Sequence, residues 1–413
     1  MKVWHFSEMA YPPAWDIGHE MGTFRVTVPN RHYDPTIGAD LYHRHYDEFQ
    51  LCDELGINIM LNEHHSTSTC LNPTIIVSAS ILSRITKNVR ILLLGNPIAN
   101  RPDPVRVAEE MSMIDVISRG RIEMGLVKGA PYEIHPANMN PSRMMDRFWE
   151  AHDLILKAMT TNDGPFNWEG EYFHYRAVNI WPRPWQQPHP PVWITGLSAN
   201  SGRMIAERGH VAAALLSGPI AANMFDAYRR RAAEFGRVAA PDRLAYCVVV
   251  GLGHTEEVGR RRANEVADYV RTSPIVAEPF KNPPGYAPVP ANVHALRAGP
   301  TQSVVEVKTT DGRTIDPTKA SVQEFMDAQT VFAGTPDQVF EQIKKFNQDV
   351  GGLGQLIIMA QGGNISYADT CENLRLFADE VMPRLGELEM PENPYGELAE
   401  KVASGELASA AGD

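Results

Sequence analysis

Short runs of valine, isoleucine and leucine recur along the chain, each followed by a longer stretch in which apolar residues return every three or four positions. A brief continuous apolar run suits a strand buried on both faces, and the longer period suits a helix with one covered side. The alternation predicts strands over Val3–Phe6, Ile57–Leu61, Val89–Leu94, Arg121–Leu126, Val192–Thr195, Val211–Leu216, Leu244–Gly251 and Gln355–Met359. It predicts helices over Asp40–Leu55, Asn72–Ile85, Asp103–Ser118, Ser142–Met159, Ser198–Arg208, Ile220–Phe235, Thr255–Val270, Pro336–Val350 and Tyr367–Met382. Asp103-Pro104 and Thr335-Pro336 place a side-chain acceptor before a proline, which marks a helix start, and Gly56 and Gly209 mark helix ends.

Eight such strands close into a barrel or spread as an open, doubly wound sheet. The count favours a closed (β/α)8 TIM barrel, and no G-x-G-x-x-G turn follows Phe6 to suggest a nucleotide-binding sheet. Two regions break the repeat. Pro165–Pro191, rich in proline and aromatic residues, reads as a short hairpin and a rigid loop; about 273–330 reads as a lid-like insertion between strands seven and eight, with a strand-like stretch around Asp311-Gly312. The barrel domain is expected over 1–385, and 386–413 is expected to be a frayed or partner-bound tail.

Composition narrows the function classes. With a formal net charge of −12 and scattered Lys and Arg, the chain carries no basic footprint for nucleic acid or an anionic membrane. The beginning lacks the apolar run of a signal peptide, and no stretch is apolar for the ~18 residues of a membrane span, so a soluble, cytoplasmic protein is expected. Cys52, Cys70, Cys247 and Cys371 lie far apart and are expected as reduced, packed thiols.

In a barrel of this kind the chemistry sits where strands end. Asn62-Glu63-His64-His65 follows strand two, and a histidine there can hold or pass a proton near neutral pH. Adjacent histidines at a strand end point to opposite sides, so one faces the mouth while the other packs. Glu63, His64 and His65 are metal-ligand types, but neighbours in sequence rarely converge on one ion, and no metal site is predicted. Gly95-Asn96 follows strand three, Lys128 strand four, and Gly196-Leu197-Ser198 strand five. Ser198 and Ser201 bracket a helix start, where free N–H groups favour a phosphate, although for Ser198 alone a plain helix cap is the commoner explanation. Lys128 and Arg143 would complete an anion cradle. No G-x-S-x-G elbow or P-loop supports a hydrolase or nucleotide triphosphatase.

With NEHHST at Asn62–Thr67, NPIANRPDPVRVAEEMSMIDVISRGRIEMGLVKG at Asn96–Gly129, SRMMDRFWEA from Ser142, GEYFHYRAVNIWPRPWQQPHPPVWITG at Gly170–Gly196 and GTPDQVFEQI from Gly334, the chain resembles the bacterial luciferase-like flavin monooxygenases. The resemblance runs from about Met1 to Leu385. It implies a barrel that binds reduced FMN supplied by a flavin reductase, uses O2, and passes one oxygen atom from a flavin hydroperoxide to a small apolar substrate. It implies a catalytic role for His64, with His65 beside it, and flavin contacts from Gly95, Asn96, Lys128, Arg143, Gly196, Leu197, Ser198 and Ser201. It also implies a homodimer packed through barrel helices and a mobile lid at the insertion. Val127 stands where luciferase has a reactive cysteine and Leu197 where it has an acidic residue, so a non-luminescent oxygenase is expected. The alternatives are a deazaflavin-dependent hydride-transfer enzyme, because related barrels exchange the flavin, and a flavin-binding barrel without turnover.

Overall fold

All eight predicted runs become strands of one sheet in the computed structural model, which describes residues 1–287, 293 and 307–410. In chain order these are β1 (Lys2–Ser7), β2 (Asn58–Leu61), β3 (Ile91–Pro97) and β4 (Ile122–Val127), followed by a separate antiparallel hairpin of β5 (Phe166–Glu169) and β6 (His174–Val178). Then come β7 (Val192–Thr195), β8 (Val211–Leu215) and β9 (Leu244–Leu252), the short antiparallel pair β10 (Val307–Lys308) and β11 (Thr314–Ile315), and finally β12 (Val331–Gly334) and β13 (Gln355–Gln361). Each barrel strand pairs in parallel with the next, β13 pairs with both β1 and β9, and β8 meets β9 from Ala212↔Leu244 to Leu215↔Cys247, which closes the ring.

The alternation of side chains divides the apolar residues into two cores. Val3, Ile59, Leu93, Met124, Ile194, Val248 and Ile358 face the helices, while Trp4, Met60, Leu92, Trp193, Ala245, Cys247 and Ile357 fill the barrel. Trp4 and Trp193 meet edge to face at 5.3 Å inside it. The interior is therefore a packed core, and only the carboxyl-terminal mouth is left for chemistry.

Three expectations need correction. A ninth strand, β12, pairs with Val249–Leu252 of β9, on the edge that β8 leaves after Leu216. Four residues set directly before a helix start carry no readable period. Second, helix Glu256–Thr272, read as an ordinary covering helix, packs through Ala263 and Val266 with the barrel-interior residues, while Pro336–Asp349 takes the outer position through Val339, Phe340 and Ile343. Glycines permit the inward position: a Cβ at Gly251 would lie 2.4 Å from Ala263 N, and one at Gly259 2.3 Å from Gly334 O. Third, the tail is not frayed. Helix Gly396–Ala403 buries Ala399 and Val402, and the Tyr395 hydroxyl donates to Asp226 on helix Ile220–Glu234 at 2.8 Å.

Several helix bounds also shift. The first long helix begins earlier, at Pro35 behind an Asp34 cap, and the Tyr367 helix ends at Leu376 before a wider turn. No helix among the described residues is long and apolar enough to cross a membrane. Cys52, Cys70 and Cys247 are buried and Cys371 partly so, all as free thiols.

Candidate active site

At the end of β2 the two histidines part, as strand geometry requires. His64 Nδ1 lies 3.0 Å from Glu133 Oε1 and 3.0 Å from the Tyr132 hydroxyl. Glu133 sits on a short turn, Pro131–Glu133, after β4, and it also accepts backbone N–H groups of His65 and Ala130, each at 3.1 Å. Burial pushes the Glu133 carboxyl up, but the His64 ring and the two backbone donors outweigh it and hold the group below the ordinary carboxylate range. A fixed carboxylate at Nδ1 keeps a proton on that side and leaves Nε2 for reaction.

His65 turns the other way. Its Nε2 lies 3.0 Å from Glu63, whose carboxylate also takes Arg101 Nη2 at 2.7 Å and the Ile75 N–H at 2.9 Å. The Glu63 hydrogen bond raises the His65 pKa. This geometry ties His65 into the Glu63–Arg101 brace, whereas His64 is held by Glu133 and Tyr132.

A second buried layer lies beside His64, and sequence reading missed it. Glu8, just beyond β1, accepts Asn62 Nδ2 at 2.9 Å, and burial raises its pKa. Arg25, 2% exposed, sits 4.6 Å above the Tyr132 ring and donates from Nε to Ser273 O at 3.2 Å. The strand-end rule that singled out Asn62 would have found Glu8; Arg25 comes from a long connection whose path has no sequence signal.

On the next strands the mouth changes character. Asn96, fully buried, offers Nδ2 with no partner among the described residues, and a Cβ at Gly95 would strike Val127 Cγ1 at 2.1 Å. Lys128 has no carboxylate within ion-pair distance among the described residues; its ammonium lies 3.5 Å over the Tyr286 ring, and burial lowers its pKa to about 8. An unpaired ammonium held half-dry suits an anion. Segment 273–287 spans this rim. The Phe24 N–H donates to Ile275 O at 3.0 Å, the Phe280 ring meets His135 at 5.5 Å, and the Tyr286 hydroxyl donates to Gly129 O at 2.7 Å.

Ser198 and Ser201 form a reciprocal cap on helix Ala199–Glu207: Ser198 Oγ accepts the Ser201 N–H at 3.1 Å and Ser201 Oγ accepts the Ser198 N–H at 3.0 Å. Gly196 packs on this cap, since a Cβ there would lie 2.6 Å from Ser201 Oγ. Leu197 and Ser198 open onto a cleft of about 650 Å³ shared with Arg203 and helix Ile220–Glu234. Arg143 does not join them. Its guanidinium is held by Glu171 and by Asp146 at 2.9 Å, so two carboxylates already neutralise the charge a phosphate would need. A second cleft, about 510 Å³, opens beside the His64 loop between Tyr11, Val28, Tyr33, Ser66 and Leu71; His32 lines it, and no Lys, Arg, Asp or Glu does among the described residues. Among the described residues no group of three His, Cys, Asp or Glu side chains is arranged to hold a metal ion.

The sequence profile of the luciferase-like monooxygenases matches residues 21–353. The chain belongs to the luciferase-like monooxygenase family. Curated relatives in it include the oxygenase component of a flavin-dependent trigonelline monooxygenase from Acinetobacter baylyi, 31% identical over 40% of this chain and 47% of its own length. Another is the alkanal monooxygenase alpha chain of Photorhabdus luminescens, 28% identical over 39% of this chain and 44% of its own length. The chain thus spans about half the length of the curated relatives it matches. Among solved structures, the oxygenating constituent of 3,6-diketocamphane monooxygenase from Pseudomonas putida, a type II Baeyer–Villiger monooxygenase in complex with FMN, superposes with a TM-score of 0.66 at 20% identity, covering 95% of this chain and 99% of that one. At that identity the likeness establishes the luciferase-like barrel fold.

Proposed function

We propose that this luciferase-like protein is the oxygenase component of a two-component FMN-dependent monooxygenase. Reduced FMN, delivered by a separate flavin reductase, would supply the chemistry by taking up O2 as a C4a-hydroperoxide that gives one oxygen atom to a small apolar organic substrate. The observation that carries this reading is His64, fixed through Nδ1 by Glu133, on the same rim as the unpaired ammonium of Lys128.

The residues present fit the cofactor. Lys128 and the N–H groups at the Ser198–Ser201 helix start would hold the phosphate, and the Asn96 amide, without a partner among the described residues, would donate to an acceptor of the ring system, while Gly95 leaves room for the Val127 side chain. Arg143 is not needed for this cradle. His64 would hold or pass a proton at the reacting oxygen through Nε2, with Tyr132 and Glu133 orienting the ring. Segment 273–287 would act as a lid that keeps water from the rim, and the part of the expected lid at 288–292 and 294–306 lies outside the described residues. The cleft beside Ser66, with no Lys, Arg, Asp or Glu among its described lining residues, supports a neutral substrate. The oxygenase name of the trigonelline enzyme and the FMN bound in the diketocamphane enzyme support the same division of labour.

His64→Ala is expected to abolish product while leaving FMN binding within a few-fold of the parent protein. Unchanged product formation in that variant would remove His64 from the reaction.

A further inference from the structure

Two groups compete for one nitrogen at the end of β2. Glu133 Oε1 and the Tyr132 hydroxyl each lie 3.0 Å from His64 Nδ1, and a ring nitrogen presents there either one hydrogen or one lone pair. Glu133 Oε1 also accepts the His65 N–H and Oε2 the Ala130 N–H, each at 3.1 Å, so both oxygens face donors and the carboxyl stays ionised. An ionised carboxylate only accepts. It therefore keeps the hydrogen on Nδ1, whether the imidazole is neutral or charged.

The consequence falls on Tyr132. With Nδ1 carrying hydrogen, the hydroxyl can share that hydrogen as an acceptor but cannot donate to the ring. No other acceptor lies within hydrogen-bond distance of Tyr132 Oη among the described residues, so its own hydrogen is left over. The side chain is 7% exposed, and a buried donor without an acceptor is costly. The ring is also held where it stands: the Arg25 guanidinium covers its face at 4.6 Å and is itself tied through Nε to Ser273 O at 3.2 Å. Burial pushes the phenol pKa up, so the O–H persists. Both His64 nitrogens belong to one small ring, and a hydroxyl in contact with Nδ1 is near enough to Nε2 for one ligand oxygen to meet both.

We propose that Tyr132 is a second catalytic residue of this rim, its hydroxyl donating a hydrogen bond to the reacting oxygen that His64 serves through Nε2. The role rests on the oxygenase reading of the site. No bond to hydrogen breaks in it; the donor fixes the oxygen in place and takes up part of its charge. Tyr132 thus does more than orient the imidazole, a task for which Glu133 suffices.

Nitrogen-15 NMR of the flavin-free protein with ring-labelled histidine tests the geometry. The His64 signals, assigned by their loss in His64→Gln, are expected to show hydrogen on Nδ1 in the parent protein and the same tautomer in Tyr132→Phe. A lone pair on Nδ1 in the parent overturns the proposal, because the hydroxyl then donates to His64, and this arm stands even should Tyr132→Phe fail to fold. A change of tautomer in Tyr132→Phe overturns it as well. The second arm uses reduced FMN and O2 with no organic substrate. When the anaerobic complex meets oxygenated buffer, a flavin species distinct from the reduced and oxidised forms is expected to decay at least about tenfold faster in Tyr132→Phe than in the parent, with release of hydrogen peroxide. An unchanged lifetime overturns the role of Tyr132 alone. If the parent itself forms no such species, it is the oxygenase reading that fails, and the role of Tyr132 falls with it.

Discussion

Lys128 is the residue whose physical state is most informative. Its ammonium has an aromatic face but no counter-ion among the described residues, and burial has brought its pKa from 10.5 to about 8. In the flavin-free protein the charge is therefore lost as pH rises through 8, and the unfolded chain binds more protons between 8 and 10.5, so stability should rise with pH across that window. A bound phosphate restores the charge, so binding takes up a proton there. The affinity advantage of FMN over riboflavin, measured by calorimetry, is expected to decline as pH rises above 8 and to be flat in Lys128→Met. That variant should also bind FMN more weakly by about 1.5–3 kcal/mol with riboflavin unaffected. A pH-independent advantage in the parent protein would place the phosphate elsewhere. His65 has the opposite sign. Its raised pKa comes first from Glu63, so what it adds to folding is present below the unfolded histidine pKa and is lost as pH rises through the folded one.

At the scale of elements, the helix after β7 serves two roles that one pair of substitutions separates. Ser198→Ala removes a cap, which costs about 0.5–2 kcal/mol, and removes a hydroxyl from the proposed phosphate site. Ser198→Asp keeps a good cap and suits the positive helix end, but sets a carboxylate against the phosphate. Urea unfolding should find the alanine variant destabilised and the aspartate variant near the parent, while both lose FMN affinity; undiminished FMN binding by the aspartate variant would make Ser198 a cap and nothing more. A second element-scale prediction concerns the inward helix. Gly251→Ala pushes a methyl against Ala263 N and Gly259 O, two backbone atoms that cannot give way, and should destabilise the protein by about 1–3 kcal/mol in the same assay.

These elements also show what the sequence made legible. The strands were readable because each carries its own apolar run, and the rim positions of His64, Lys128 and Ser198 were readable because each lies within three residues of a strand end. Arg143 misled because a lone arginine near a helix start says nothing of Glu171, which approaches from a hairpin 28 residues away. The position of helix Glu256–Thr272 was invisible for a related reason: its apolar period is that of any covering helix, and the glycines at 251 and 259, met together in space, admit it to the inner face.

The whole molecule presents an unusual outer surface. Helices Ile75–Ile85 and Pro104–Ser118 pack side by side and leave Val77, Ile81, Met113, Val116 and Ile117 facing outward, with exposures of 37–56%. A run of apolar side chains across two adjacent helices supports the proposed homodimer. Replacing Met113 and Val116 with glutamate is expected to give a monomer by sedimentation analysis with the fold retained; unchanged sedimentation would move the interface to another face.

The account rests on a rim that grips reduced flavin and protects what forms when O2 arrives. Its most direct test is to mix the anaerobic complex of the protein and reduced FMN with oxygenated buffer in a stopped-flow spectrophotometer. A flavin species distinct from both the reduced and the oxidised forms should accumulate and decay far more slowly than free reduced FMN is oxidised. Reoxidation in a single phase at the rate of free flavin would contradict the account.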